Sequence, residues 1–339
     1  MRRNNTMQKY MTEEFSWGPV RGQNTAARHL CRRHPTLHYF QRTFLLLIFF
    51  LPLSASCNAV KDKEIIDRYG EKVVVTGAVN RIVSAAPSNT EIIVDLGMAD
   101  KLIAVDRYSN TVSGIPQGLA LIDFSYPDAE AILALQPDLI IANGHNATGS
   151  GEDPFRLLRE MGIAVAYISM SKSINDIYED IRFIADIVQA QEQGEMLIAS
   201  MKGKINAITE KTAHIDVQRS VYIEISAAPE MITLGKDSYI DDMITVIGAR
   251  NIFGNDSWIT FPSAEAIIER NPDVILSGVD YLDDPIAEIK SRYGFNHINA
   301  VAHNRIYRID TDSLVRPSAR IITAMEQMAA AIYPELYEH

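Results

Sequence analysis

The chain has 339 residues, of which 47% are apolar and 8% aromatic, ordinary values for a soluble protein with enough length to bury more than one core. Acidic residues outnumber basic ones by 43 to 32, a net charge of −11 that excludes the basic surface nucleic acid or anionic headgroups would require.

Residues 44–53 form a ten-residue apolar run behind Arg28, Arg32, Arg33 and Arg42, and Ser54-Ala55-Ser56-Cys57 follows. A run this short does not span a bilayer comfortably, and its basic flank and small-residue exit are those of a secretory signal. The exit resembles a bacterial lipobox with Cys57 as the lipidated first residue, although Ser54 stands where Leu is usual and Leu53 lies one position further back. Residues 1 to about 36 exceed a normal basic leader, which points to a start codon assigned too early. Removing residues 1–56, with 8 basic and 2 acidic side chains, takes the net charge to −17. Cys31 goes with that segment, so Cys57 alone remains and no intrachain disulfide is possible.

From there, residues 72–76 and 81–85 are predicted strands. Pro87-Ser88-Asn89-Thr90-Glu91 opens a helix ending at Gly97, with Ser88 and Glu91 spaced as a capping box. A strand at 102–105 and a polar loop lead to Asp128-Ala-Glu-Ala-Ile-Leu-Ala-Leu-Gln-Pro-Asp-Leu-Ile-Ile141: a capped helix, a Pro-Asp turn and a buried strand. A Gly/Asn-rich loop at 143–151, a helix near 154–161 and a strand at 163–168 complete a first lobe, 57–172. Residues 174–212 lack Pro, and Ile174, Ile177, Ile181, Ile184 and Val188 keep helical spacing, which predicts one long linking helix over 173–213. A second lobe, 214–339, begins with a strand at 221–225 and a helix from about Ser238 to Gly248. The earlier phrase then returns as Ser263-Ala-Glu-Ala-Ile-Ile-Glu-Arg-Asn-Pro-Asp-Val-Ile-Leu276, before a strand at 305–309 and a closing helix from Pro317 to about Ile332. The repeat and the alternation of strands and helices predict an α/β chain of two lobes, each with a mostly parallel sheet flanked by helices.

No glycine-rich phosphate loop, dinucleotide fingerprint or nucleophile elbow occurs, so nucleotide chemistry and serine hydrolysis lack their usual supports. The five histidines after Cys57 form no helical pair and have no cysteine neighbour, which argues against a bare metal cage. His145 alone sits where open α/β sheets bind ligands, at a strand end.

Arg81-Ile-Val-Ser-Ala-Ala-Pro-Ser-Asn-Thr-Glu91, Leu96-Gly97, both Glu-x-Ile-x-x-x-x-Pro-Asp units, Arg305-Ile-Tyr-Arg-Ile-Asp310 and Arg316-Pro-Ser-Ala-Arg320 together resemble the substrate-binding proteins of ABC importers for vitamin B12, ferric siderophores and haem. The resemblance covers about residues 64–336. It implies two lobes joined by a rigid helix, modest closure, no enzymatic activity and no resident cofactor, the cargo being a cobalt corrinoid or an iron chelate. It also implies an ABC permease dimer with its ATPase as partner, and contact with the membrane through the lipid anchor alone. Glu130 and Glu265 match the acids that dock onto permease arginines. In a corrinoid binder, Tyr108, Phe124, Trp258, Asp312 and Arg316 match ligand contacts, with Arg107, Tyr126, His145 and Tyr239 as weaker candidates at loop positions. Phe124 replaces Trp, and Trp258 is one residue out of register. Arg107 with Arg316 could instead clamp an anionic ferric siderophore, and a Tyr or His could face haem iron. An enzyme such as a tetrapyrrole metal chelatase shares the two-lobed form, but an exported, anchored chain with no compact acid/base constellation argues against it.

Overall fold

The computed structural model describes residues 62–123, 125–144 and 153–337. β1 (Lys63–Ile66) and β2 (Lys72–Val75) pair as an antiparallel hairpin, burying Ile65, Val73 and Val75 on one face. The first lobe continues with β3 (Ile82–Ser84), α1 (Pro87–Asp95), β4 (Leu102–Asp106), β5 (Ala120–Ile122), α2 (Ala129–Ala134), β6 (Leu139–Asn143), α3 (Arg156–Glu160) and β7 (Ala164–Ile168). These strands form one parallel sheet in the order β5-β4-β3-β6-β7. Along β6, Leu139 and Ile141 enter one apolar cluster and Ile140 and Ala142 another, so both faces of the strand are covered.

Next come α4 (Ile174–Val188) and α5 (Gln191–Thr212). The second lobe holds β8 (Ser220–Glu224), β9 (Thr233–Leu234), α6 (Tyr239–Val246), β10 (Arg250–Asn251), β11 (Ile259–Thr260), α7 (Ala264–Arg270), β12 (Val274–Ser277), α8 (Pro285–Ser291), α9 (Asn299–Ala302), β13 (Ile306–Arg308), α10 (Thr311–Val315) and α11 (Ile321–Ile332). Its parallel sheet runs β10-β8-β12-β13, the same order as β4-β3-β6-β7, while β9 and β11 form a separate antiparallel pair.

The sequence repeat is therefore a structural one. Asp128 and Ser263 cap α2 and α7 by accepting from the backbone N–H of Ala131 and Ala266, at 3.0 and 3.2 Å. The aspartate of each Pro-Asp turn fastens one strand to the start of the next. Asp138 Oδ2 accepts from the N–H groups of Asn80 and Arg81, and Asp273 Oδ2 from the N–H and hydroxyl of Ser220. Gly97 and Gly248, which close α1 and α6, adopt the left-handed conformation, with φ of 75° and 83°.

Three expectations need correction. The predicted linking helix is a hairpin of two helices. α4 starts on a Ser173–Asp176 capping box and stops at Gln189, which is left-handed with φ of 61°, and α5 then runs back beside α4. Arg182 reaches Glu195 at 2.6 Å, and Lys202 lies over the Tyr178 ring at 5.1 Å. The regular isoleucine spacing belongs to α4 alone, and α5 is the segment that passes into the second lobe, where Lys211 covers Tyr337 at 4.1 Å. Secondly, the closing helix begins at Ile321 rather than Pro317, and a separate short α10 precedes it. Thirdly, the N-cap of α1 is Ala86, with no side-chain cap, so Ser88 and Glu91 form no capping box.

Gly194 lets the two helices of the hairpin touch, since a Cβ there would lie 2.7 Å from Ala185 Cβ. Gly194→Leu is expected to destabilise the fold by about 1–3 kcal/mol through overpacking. A thermal melt should show a midpoint several degrees lower; an unchanged midpoint would mean that α4 and α5 do not bear on each other there.

Candidate functional site

The C-terminal ends of β3, β6 and β7 face the second lobe, and a cavity lies between the lobes where open α/β sheets place their ligands. The first lobe contributes the turn at 85–88, Asn143, Gly144 and the stretch 168–171. The second contributes Ile225, Ile232, Leu234, Trp258 and the stretch 315–317. Most of this wall is aliphatic or aromatic. Trp258 is held by its carbonyl, which accepts from the Gly235 N–H at 3.0 Å. No side chain fits at Gly235, because a Cβ would meet the Ser257 and Phe253 carbonyl oxygens at 2.6 and 2.7 Å.

The charges at the cavity are already paired within the protein. Asp180, 1% exposed, accepts from Arg68 Nε at 2.8 Å and from the Ser171 hydroxyl at 3.0 Å. Burial raises its pKa to about 6 against the opposing pull of Arg68. Arg316, 6% exposed, meets Glu91 at 3.0 Å and Asp312 at 2.7 Å. Glu91, 2% exposed, also accepts from Ser318 Oγ at 2.6 Å and pairs with Arg320 at 3.2 Å. Glu91 belongs to the first lobe and its three partners to the second. It is an interlobe tie, and this explains why it is unavailable to cap its own helix. A second tie runs from the Ile174 N–H at the start of α4 to Asp242 Oδ2 in α6, at 2.8 Å.

Of the residues singled out by resemblance, Trp258 and Arg316 line the cavity, and so does Tyr239, whose buried hydroxyl donates to the Leu314 carbonyl at 2.9 Å. Asp312 serves Arg316 rather than the cavity wall. Tyr108 is half-buried beyond β4, where its N–H donates to Asp106 at 2.8 Å, and it does not line the cavity. Arg107 pairs with Asp123, and Tyr126 is 71% exposed outside the cavity. Phe124, His145 and Cys57 lie outside the described residues. Met170, Ile225 and Ile232 were not foreseen; the strand-end rule points to their loops, but aliphatic side chains carry no motif. Glu130 and Glu265 are exposed in the first turns of α2 and α7. The Glu265 carboxyl is held below its usual range by its own backbone N–H and by Ser263. Among the described residues, no helix is long and apolar enough to cross a membrane.

A family profile described as periplasmic binding protein matches residues 82–313. The uncharacterized ABC transporter substrate-binding lipoprotein YvrC of Bacillus subtilis (strain 168) is 32% identical, covering 80% of this chain and 86% of that protein. The vitamin B12-binding protein of Vibrio campbellii (strain ATCC BAA-1116) is 28% identical, covering 77% and 92%. Among solved structures, a possible iron-binding (periplasmic solute-binding) protein from Staphylococcus epidermidis ATCC 12228 matches with a TM-score of 0.68 at 30% identity, covering 75% of this chain and 99% of that one.

Glu91→Gln leaves Arg316 buried with half its compensation, and should cost about 3–5 kcal/mol of stability in urea unfolding. A loss within measurement error would remove the interlobe tie. The raised pKa of Asp180 has a definite sign in pH dependence. The folded carboxyl takes its proton near pH 6 while the unfolded one waits until about pH 4, so this residue adds stability as pH falls through that window. Relative to Asp180→Asn, the wild type should gain on the order of 2 kcal/mol between pH 7 and pH 4. Parallel stability curves for the two proteins would contradict the assignment.

Proposed function

The chain belongs to the periplasmic binding protein family, and from that premise we propose that it is the extracytoplasmic substrate-binding lipoprotein of an ABC importer. It captures a corrinoid in the interlobe cleft and delivers it to a membrane permease dimer powered by its ATPase. The relatives are named as binding proteins, and the role is binding rather than catalysis.

The observation that carries the ligand is an apolar cleft wall around one indole, with its buried charges spent inside the protein. A corrin is a large ring edged with neutral amides; it gains from apolar area and asks for no free counter-charge. An anionic ferric chelate would draw on free guanidinium groups, and Arg316 and Arg107 are each engaged by carboxylates. Haem iron would need an axial ligand; among the described wall residues the Tyr239 hydroxyl is buried against the Leu314 carbonyl, which leaves the Met170 thioether. A ferric chelate remains the second reading because the Staphylococcus epidermidis relative is named for iron. Lipidation at Cys57 is supported by the lipobox-like exit and by the lipoprotein name of the Bacillus subtilis relative.

Trp258 is the only tryptophan after residue 57, which makes it a built-in reporter. Titrating residues 58–339 with cyanocobalamin, corrected for corrin absorbance, should give saturable quenching with a Kd of about 1 μM or lower, a binding free energy of roughly −8 kcal/mol. Quenching should vanish in Trp258→Phe. Saturable quenching by ferrichrome or haemin with none by cyanocobalamin would transfer the proposal to an iron chelate. For the anchor, Cys57→Ser should move the protein from the membrane fraction to the soluble extracytoplasmic fraction; an unchanged membrane share would dismiss lipidation there.

A further inference from the structure

The repeat extends upstream of its helices. Tyr126-Pro127-Asp128-Ala129-Glu130 and Phe261-Pro262-Ser263-Ala264-Glu265 each run aromatic, proline, helix cap, alanine, glutamate. Both aromatics stand out on the surface, Tyr126 at 71% and Phe261 at 67% exposure, and neither lines the interlobe cavity. A single exposed aromatic needs no explanation. Two at equivalent places in pseudo-repeated lobes, each four residues before an exposed acid, form a pattern.

The backbone at or next to each ring is hydrogen-bonded or strand-paired. The N–H groups of Ser125 and Tyr126 both donate to Asp123 Oδ1, at 2.9 and 3.0 Å. Phe261 directly follows β11, whose Thr260 pairs with Thr233 of β9. The proline after each aromatic restricts that residue to extended backbone, which lowers the entropy lost when a partner covers the ring.

We infer that Tyr126 and Phe261 are contact residues for the permease, so that each lobe presents a two-part pad of one ring and one carboxylate to one half of the permease dimer. This rests on the importer reading above. The occupant follows from charge and symmetry. Two like pads on two like lobes fit a partner with two like halves. A carboxylate four residues from an exposed aromatic suits arginine, whose planar cation can pair with an acid or lie over a ring. The rings add area at points where the acids alone would set orientation and encounter rate.

The test is photo-crosslinking in the producing bacterium, with benzoylphenylalanine placed in the full chain at position 126, 261, 131 or 196. Position 131 follows Glu130 directly, and 196 lies on α5, outside the repeated units, where the native Met196 is 58% exposed. Adducts from 126 and 261 to the membrane-spanning subunit of an ABC importer, at least about tenfold above 196, support the inference. Those adducts should fall about tenfold when Glu130→Arg and Glu265→Arg are combined. An adduct from 131 with none from 126 and 261 overturns the inference and leaves acid docking standing. No permease adduct from 126, 261 or 131 overturns both. Purified Tyr126→Ser/Phe261→Ser protein should keep its Trp258 response to cyanocobalamin within twofold. A tenfold weaker response would assign the rings to the cleft and overturn the inference by that route.

Discussion

Glu91 is a carboxylate withdrawn from water on a first-lobe helix, and such a group survives burial only if charge and hydrogen bonds from elsewhere compensate it. The groups that hold its side chain come from the second lobe: Arg316, Ser318 and Arg320. The chain between α10 and α11 is shaped to deliver them. The Ser318 hydroxyl both donates to Glu91 and accepts from the Arg320 N–H, so the turn is pinned from both sides and α11 can start at Ile321. Ile321, Ile322 and Met325 then join Ile92, Ile93 and Leu96 of α1 in one apolar cluster that runs through both lobes. The same bridge determines the chemistry of the cleft. With Arg316 neutralised on two sides, that wall presents guanidinium surface without an unmatched charge.

The two lobes also show which parts of a repeated unit are tied to architecture. Asp138 and Asp273 do the same work at the same place, fastening the strand after the Pro-Asp turn to its central neighbour. The side-chain caps of α2 and α7 and the glycines that close α1 and α6 agree as well. The lobes diverge where the cleft is built. Among the described residues the pair of β9 and β11 has no counterpart in the first lobe, and its β11 lies in the chain between Trp258 and Phe261.

What could be read from residues alone was local. The caps at Asp128 and Ser263, the Pro-Asp turns, Gly97 and Gly248 and the buried strands each have a short-range cause written within a few positions, and these are present in the structure. The hairpin of α4 and α5 escaped because its turn rests on Gln189 in a left-handed conformation, which no glycine or proline announces. Glu91 was misread for a related reason. The Ser88-x-x-Glu91 spacing satisfies a local rule, while the groups that claim the carboxylate lie 225 to 229 positions away. The site was legible in part: Trp258 and Arg316 do reach the cleft, but the aliphatic wall of Met170, Ile225 and Ile232 carries no pattern that separates it from core.

The helical hairpin starts against the second lobe, at the Ile174 contact with Asp242, and ends against it, at Lys211 and Tyr337. The first lobe is thereby braced by a strut doubled back on itself, and swinging one lobe about a single flexible hinge would strain both ends together. On the importer reading proposed above, cargo would enter such a cleft without a large rearrangement, and release would be the harder mechanical problem. A partner that gripped α2 on one lobe and α7 on the other would hold the two arms of a lever whose fulcrum is the Glu91 bridge, and the work of prising the arms apart would come from that partner.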